Sequence, residues 1–179
     1  MIKTTIITIL FFGALYFGSG GFIVLDNEQQ YEKALTLQKK EILYKNIRFY
    51  NKEVMESAKQ QDLILDFYPY YDRLPSALNF IITAICFGII GSIGKIINDS
   101  IKNETLLHKK TNLLLIPCQG GIIGLIILGV SYTIPVILTS ENVTLKPITV
   151  VFLSLFSGIF YENFYQWFLK NLNDNVFKQ

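Results

Sequence analysis

The chain has 179 residues, of which 51% are hydrophobic and 17% charged, with mean hydropathy +0.38 and a net charge of +2. Soluble domains carry about a quarter charged residues, and nine of the 14 acids and eight of the 16 bases here fall within residues 26–74. This excludes an ordinary soluble domain and predicts an all-α integral membrane protein with four transmembrane helices and one polar insert. Bases mixed among acids at so small a net charge give no reason to expect a nucleic-acid partner.

The first uncharged run, Thr4–Leu25, is long enough to cross about 30 Å of hydrocarbon. It exceeds a signal-peptide core and continues through Phe22-Ile23-Val24 without a small-x-small cleavage site, so it reads as a retained helix. Residues 26–74 form the polar insert. From Glu28 to Gln61 it has no Pro or Gly, and Leu43, Ile47, Tyr50, Val54 and Ala58 fall at three- and four-residue steps. The expectation is an amphipathic helical rod continuing the first helix. "FYPYYDRLP", Phe67 to Pro75, then turns the chain back, with tyrosines suited to a membrane interface.

A second span is expected over 76–97, interrupted by Lys95 near its end. A basic loop follows at 98–111 with Lys102, His108, Lys109 and Lys110, and this is the expected contact for a cytosolic partner. The third span is 112–138, with prolines near both ends. Pro147 opens the fourth, 147–169, and a polar tail occupies 170–179. Lys3 faces Asp26, Glu28 and Glu32 across the first helix, and the middle loop is basic. The termini are therefore expected on the cytoplasmic side of a cell inner membrane, with the insert outside.

Small residues form a seam on each span: Ala14, Gly18 and Gly21; Ala84, Gly88, Gly91 and Ser92; Gly120, Gly121, Gly124 and Ser131. Helices in lipid associate by close packing at such seams. Bundle packing within one chain explains any single seam, while seams on every helix suggest further contacts and a homo-oligomer, with a tetramer as one form.

The fourth span carries the sharpest pattern. Ser154, Gly158, Glu162, Gln166 and Lys170 recur every four residues and share a face, while Phe152, Phe156, Phe160, Phe164 and Phe168 form a second series turned away from it. Glu162 has no charged residue within seven positions on either side. Intramembrane acids rarely face lipid, and an unpaired charge in such a place is costly. Two roles fit: a structural pair with Lys95, which is the favoured reading, or part of a polar path or subunit junction.

His108 is the single histidine and lies far from any thiol or carboxylate cluster, so no metal is expected. Cys86 and Cys118 match no zinc or redox spacing. No triad, phosphate-binding loop or HExxH motif is present; neither an enzyme nor a cofactor is expected.

The segment Pro117-x-x-Gly120-Gly121-x-x-Gly124, followed by Leu153-Ser154-x-Phe156-Ser157-Gly158-x-x-Tyr161-Glu162, resembles small bacterial membrane proteins. In those a glycine-rich helix precedes an "F-x-x-G-F-S-E-R-F"-like end; Asn163 stands here in place of the arginine. In size and layout the chain also resembles four-span membrane components of antiphage defence systems, such as the Kiwa membrane subunit and the Hailong effector. That resemblance implies assembly in the membrane and a separate cytosolic partner. The expected function is a non-enzymatic sensor or gated pore (an ion channel in the broad sense). A small proton- or cation-coupled transporter using Glu162, or a non-conducting scaffold, is the alternative.

Overall fold

The computed structural model describes residues 2–45, 47–102, 114–139, 145–164, 166, 167 and 170. Five helices carry the fold: α1 (Ile2–Leu35), α2 (Lys52–Phe67), α3 (Ser76–Lys102), α4 (Leu115–Thr139) and α5 (Pro147–Ile159). A two-stranded antiparallel hairpin, β1 (Ile42–Tyr44) with β2 (Ile47–Phe49), lies between α1 and α2. The all-α class fits. Among the described residues three helices, α1, α3 and α4, are long and apolar enough to cross a membrane.

α3 is the central element and packs against α1, α4 and α5. A Cβ added to Gly88 would collide with the carbonyl oxygen of Gly120, and one on Gly124 would collide with that of Ala84. Residue numbers run oppositely along this contact, so α3 and α4 are antiparallel. On another side of α3, a Cβ on Gly158 would strike the Gly88 carbonyl, and one on Gly91 would strike that of Leu155. These are points on one crossing; the sense of the pair is set by its ends, where Val150 packs in one cluster with Phe80 and Ala84 and Glu162 meets Lys95, so α3 and α5 are parallel. α1 runs antiparallel to α3: Gly18 lies on Cys86 and Phe87, Gly21 on Thr83, and Ser76 Oγ donates to Glu28 Oε1 at 3.1 Å.

The small-residue seams are thus taken up within one chain. Apolar surface gives no drive toward association in lipid, so bare backbone contact and dispersion replace it. Gly13, Gly94 and Gly129, by contrast, have open space where a Cβ would sit. The seams therefore do not themselves call for a second copy. A layer of Leu25, Phe80, Ala84, Leu128 and Val150 closes the bundle at the end nearest the insert.

Two expectations are corrected. The continuous rod over Glu28–Gln61 does not form. α1 stops at Leu35, where Thr36 Oγ1 donates to Lys33 O at 2.7 Å, and the chain turns into the hairpin. Leu43 and Ile47 lie on strands and are exposed, while their neighbours Ile42, Tyr44 and Phe49 are half-buried. Over this stretch Ile, Tyr and Phe favour extended backbone, and Lys45 takes a positive φ of 49° at the hairpin turn, as a two-residue loop requires. The four-residue spacing was shared by helix and hairpin, and pairing prevailed. Helix resumes at Lys52 because Asn51 caps it: Asn51 Oδ1 accepts from Val54 N at 2.8 Å, while its Nδ2 donates to Ala34 O at 2.7 Å. One buried side chain thereby closes the end of α1 and the start of α2.

The second correction concerns the fourth span. Its regular helix ends at Ile159, giving 13 residues and about 20 Å of length, less than the roughly 30 Å of a hydrocarbon core. After Phe160, whose φ and ψ are −99° and 28°, the described residues 161–164, 166, 167 and 170 are helical again, so the expected 147–169 helix is interrupted rather than absent.

These contacts generate a paired prediction. Gly88→Ala should destabilise the bundle by about 1–3 kcal/mol through overpacking, whereas Gly94→Ala should be neutral or gain up to about 1 kcal/mol. Thermal unfolding in detergent checks both, and equal effects would contradict the close approach. For the insert, Asn51→Ala should cost about 1 kcal/mol and speed limited proteolysis of residues 36–51, with Asn51→Asp, which keeps the cap, falling between it and the unaltered chain.

Candidate functional site

Just past the break at Phe160, Tyr161 and Glu162 meet Lys95 of α3. Lys95 Nζ donates to Glu162 Oε2 at 2.8 Å, and Tyr161 Oη donates to Glu162 Oε1 at 2.9 Å. The Lys95 ammonium also stands 4.5 Å from the centre of the Tyr161 ring, within cation–π range. Both carboxylate oxygens therefore carry a donor, and the ammonium has an anion and a ring face. The Lys95 side chain is 22% exposed and that of Glu162 57%. The lysine is thus tucked into the bundle and the carboxylate looks outward.

Tyr161 anchors this cluster from behind. It is buried and packs with Ile123 and Ile127 of α4, with Ile116 and Phe164 beside them. In the sequence Tyr161 stands out only as the neighbour of the isolated Glu162, and adjacent positions on a helix do not ordinarily face one partner.

The rest of the four-residue stripe divides. Ser154 and Gly158 are buried against α3, so neither lines an open path in the single chain. Gln166 and Lys170 are exposed. In the aromatic series Phe152, Phe156 and Phe160 are exposed and touch ring to ring, with centroids 6.2 and 4.8 Å apart, and Phe168 lies outside the described residues. Among the packing residues, Gly88, Ser92, Gly120 and Gly124 meet as α3 and α4 cross, while Gly121 faces the side chains of Ile85 and Ile89. Lys102 closes α3. His108, Lys109 and Lys110 lie outside the described residues, so the expected partner-binding loop has no structural account.

Three further polar side chains sit deep in the bundle. Asn79 and Thr83, one turn apart on α3, and Ser154 on α5 are at most 1% exposed and have no hydrogen-bond partner for their side chains among the described residues. Ser154 belongs to the four-residue stripe, but Asn79 and Thr83 were missed in the sequence because an isolated Asn or Thr in an apolar run carries no periodic signal. No cluster of three or more His, Cys, Asp or Glu forms a metal site among the described residues. Both cysteines are free, Cys86 buried and Cys118 exposed.

Comparison with protein-family models, with curated proteins and with solved structures finds no match to this chain. The class is therefore defined by the architecture alone: a helical protein with three helices able to span a membrane and a charged cluster tying a fourth, broken helix to the central one.

Coupling between the two charges is directly measurable. Lys95→Met and Glu162→Gln should each lower stability in detergent, and the double variant should lose less than their sum, by on the order of 1 kcal/mol. Strictly additive effects would show that the two side chains do not act as a pair.

Proposed function

We propose that this chain is a non-enzymatic multi-pass membrane protein that works as a sensor or gated pore in a homo-oligomer. The observation that carries this reading is the outward-facing carboxylate of Glu162, held by Lys95 and Tyr161 just past a break in α5. A half-exposed carboxylate on an otherwise apolar helix end needs water or another chain beside it. The break gives the last helix a joint, and the ion pair across it acts as a latch between α5 and the central α3. Opening the latch would release Tyr161–Phe164 without disturbing the glycine contacts above it.

On this reading α5 and its continuation make the fourth crossing, the termini are cytoplasmic in the inner membrane, and the insert lies outside. The resemblance in layout to membrane components of antiphage defence systems supports such a role here, with the basic segment after α3 meeting a cytosolic partner. The oligomer enters because Ser154 and Gly158 are closed off inside the single chain, leaving any conducting path to form between copies. The same closure weighs against a transporter in which Glu162 passes protons along its own helix face.

Two measurements test the proposal. The purified protein should run as a defined oligomer in detergent and conduct ions in a planar bilayer, with Glu162→Gln shifting the open fraction. A strictly monomeric, non-conducting protein would remove the pore reading, and unchanged gating in Glu162→Gln would remove the latch.

A further inference from the structure

The insert does not stand clear of the bundle. α2 runs antiparallel along α1, from Asn51 at Ala34 down to Phe67, whose carbonyl accepts from Tyr16 Oη at 2.7 Å. Tyr16 is nine residues before Leu25, where the apolar run of α1 ends. At 1.5 Å per residue, α2 therefore descends about 14 Å alongside a segment apolar enough for a bilayer. Two tyrosines fix it there. Ser19 Oγ and Tyr68 Oη lie 3.0 Å apart, and Tyr71 Oη donates to Phe17 O. Their rings cover Gly20 so closely that a Cβ there would collide with both. The chain then climbs back through Leu74 and Pro75 to start α3 beside Glu28.

The other side of this arm is unusual for a polar insert. Leu63, Phe67 and Tyr70 are 62%, 74% and 68% exposed. They cluster at the end of α2 that reaches Tyr16, and that surface continues through Tyr16 onto the exposed Phe12 and Leu15 of α1. Nearer the start of α2 the exposed side chains are charged, with Lys52 paired to Glu56 at 3.4 Å. The helix thus changes from charged to apolar along its length as it comes alongside the apolar part of α1. Large aromatic side chains are costly in water, and tyrosine with phenylalanine or leucine is the composition of a segment lying in a membrane interface.

We infer that the C-terminal end of α2 and the Tyr68–Tyr71 turn insert into the lipid leaflet on the insert's side, with Leu63, Phe67 and Tyr70 in contact with lipid. Asp62 and Asp66 are exposed on the flank of the same helix end. They require the headgroup region rather than the hydrocarbon, so the arm lies at the boundary and draws the interface down beside α1. Accommodating such an arm thins the leaflet locally. The insert thereby becomes sensitive to lipid packing, which gives the proposed sensor a physical input. This inference rests on the membrane reading above, and its test separates the two.

Trp167 is the single tryptophan, so Trp167→Phe provides a silent background. Into it are placed Leu63→Trp, Phe67→Trp, Glu53→Trp near the far end of α2, and Phe156→Trp on the exposed face of α5, each in phosphatidylcholine vesicles with brominated acyl chains. Phe67→Trp and Leu63→Trp should lose emission to shallow-brominated lipid more than to deep-brominated lipid and resist aqueous acrylamide, while Glu53→Trp should respond to acrylamide only. If both arm positions respond only to acrylamide, or to neither quencher because protein covers them, the inference fails while quenching at Phe156→Trp keeps the membrane reading. If Phe156→Trp is also untouched by bromine, the membrane reading itself falls. Two arm positions guard against one variant that fails to fold.

Discussion

The structure depends on one point of contact, where α3, α4 and α5 meet at Gly88 with almost no side chain between them. The Gly88 position excludes a Cβ because the Gly120 carbonyl fills that space, and the Gly88 carbonyl in turn occupies the space of a Cβ on Gly158. In water, burial of apolar area would drive such helices together. In lipid, close backbone approach and the dispersion contacts it allows must do so. The approach also fixes register. Once Gly88 is set against Gly120 in the antiparallel pair, Gly124 must face Ala84, while on the other side Gly158 is held between Gly88 and Gly91.

That register has a consequence one turn further along. α3 and α5 are parallel and the Gly91 position also meets Gly158, so advancing four residues along each helix reaches Lys95 and Glu162, whose charges stand 2.8 Å apart. The charge cluster thus follows from close glycine packing, just past the point where α5 is interrupted at Phe160. Its surroundings tolerate the charge because Tyr161 supplies both a donor and a ring face. Asn79, Thr83 and Ser154 sit in tighter layers of the same bundle, where van der Waals fit has taken precedence over hydrogen bonding with other described residues.

The insert follows a different logic. Its halves are joined by specific polar contacts beside a small apolar contribution from Ala34 and Val54: Asn51 bridges two helix ends, and Asn27 Nδ2 donates to Gln61 Oε1 at 2.7 Å and to Ser57 O at 3.3 Å. The aromatic turn after α2 is instead tied to α1 well inside the apolar run. The boundary between membrane and insert consequently cannot be drawn at one residue of α1. One side of that helix is covered by protein over its last turns, while other parts remain open.

By itself, the sequence determined that the chain is helical, that the helices over α1, α3 and α4 are long and apolar enough to span, and which small residues would lie at crossings. Each depends on a local pattern, namely an uncharged run of sufficient length or small residues four apart, and such patterns survive without knowledge of neighbours. The approach of Lys95 to Glu162 was legible as well, since an isolated acid in an apolar helix has few charges within reach. Only the tertiary structure decided that residues 42–49 form a hairpin, because Leu43, Ile47 and Tyr50 satisfy helical spacing as well as they satisfy pairing. It alone decided that α5 stops at Ile159, that Tyr161 joins the charge cluster, and that α2 folds down along α1 as far as Tyr16. Those outcomes turn on what stands opposite a residue in space, a property that spacing along one chain does not encode.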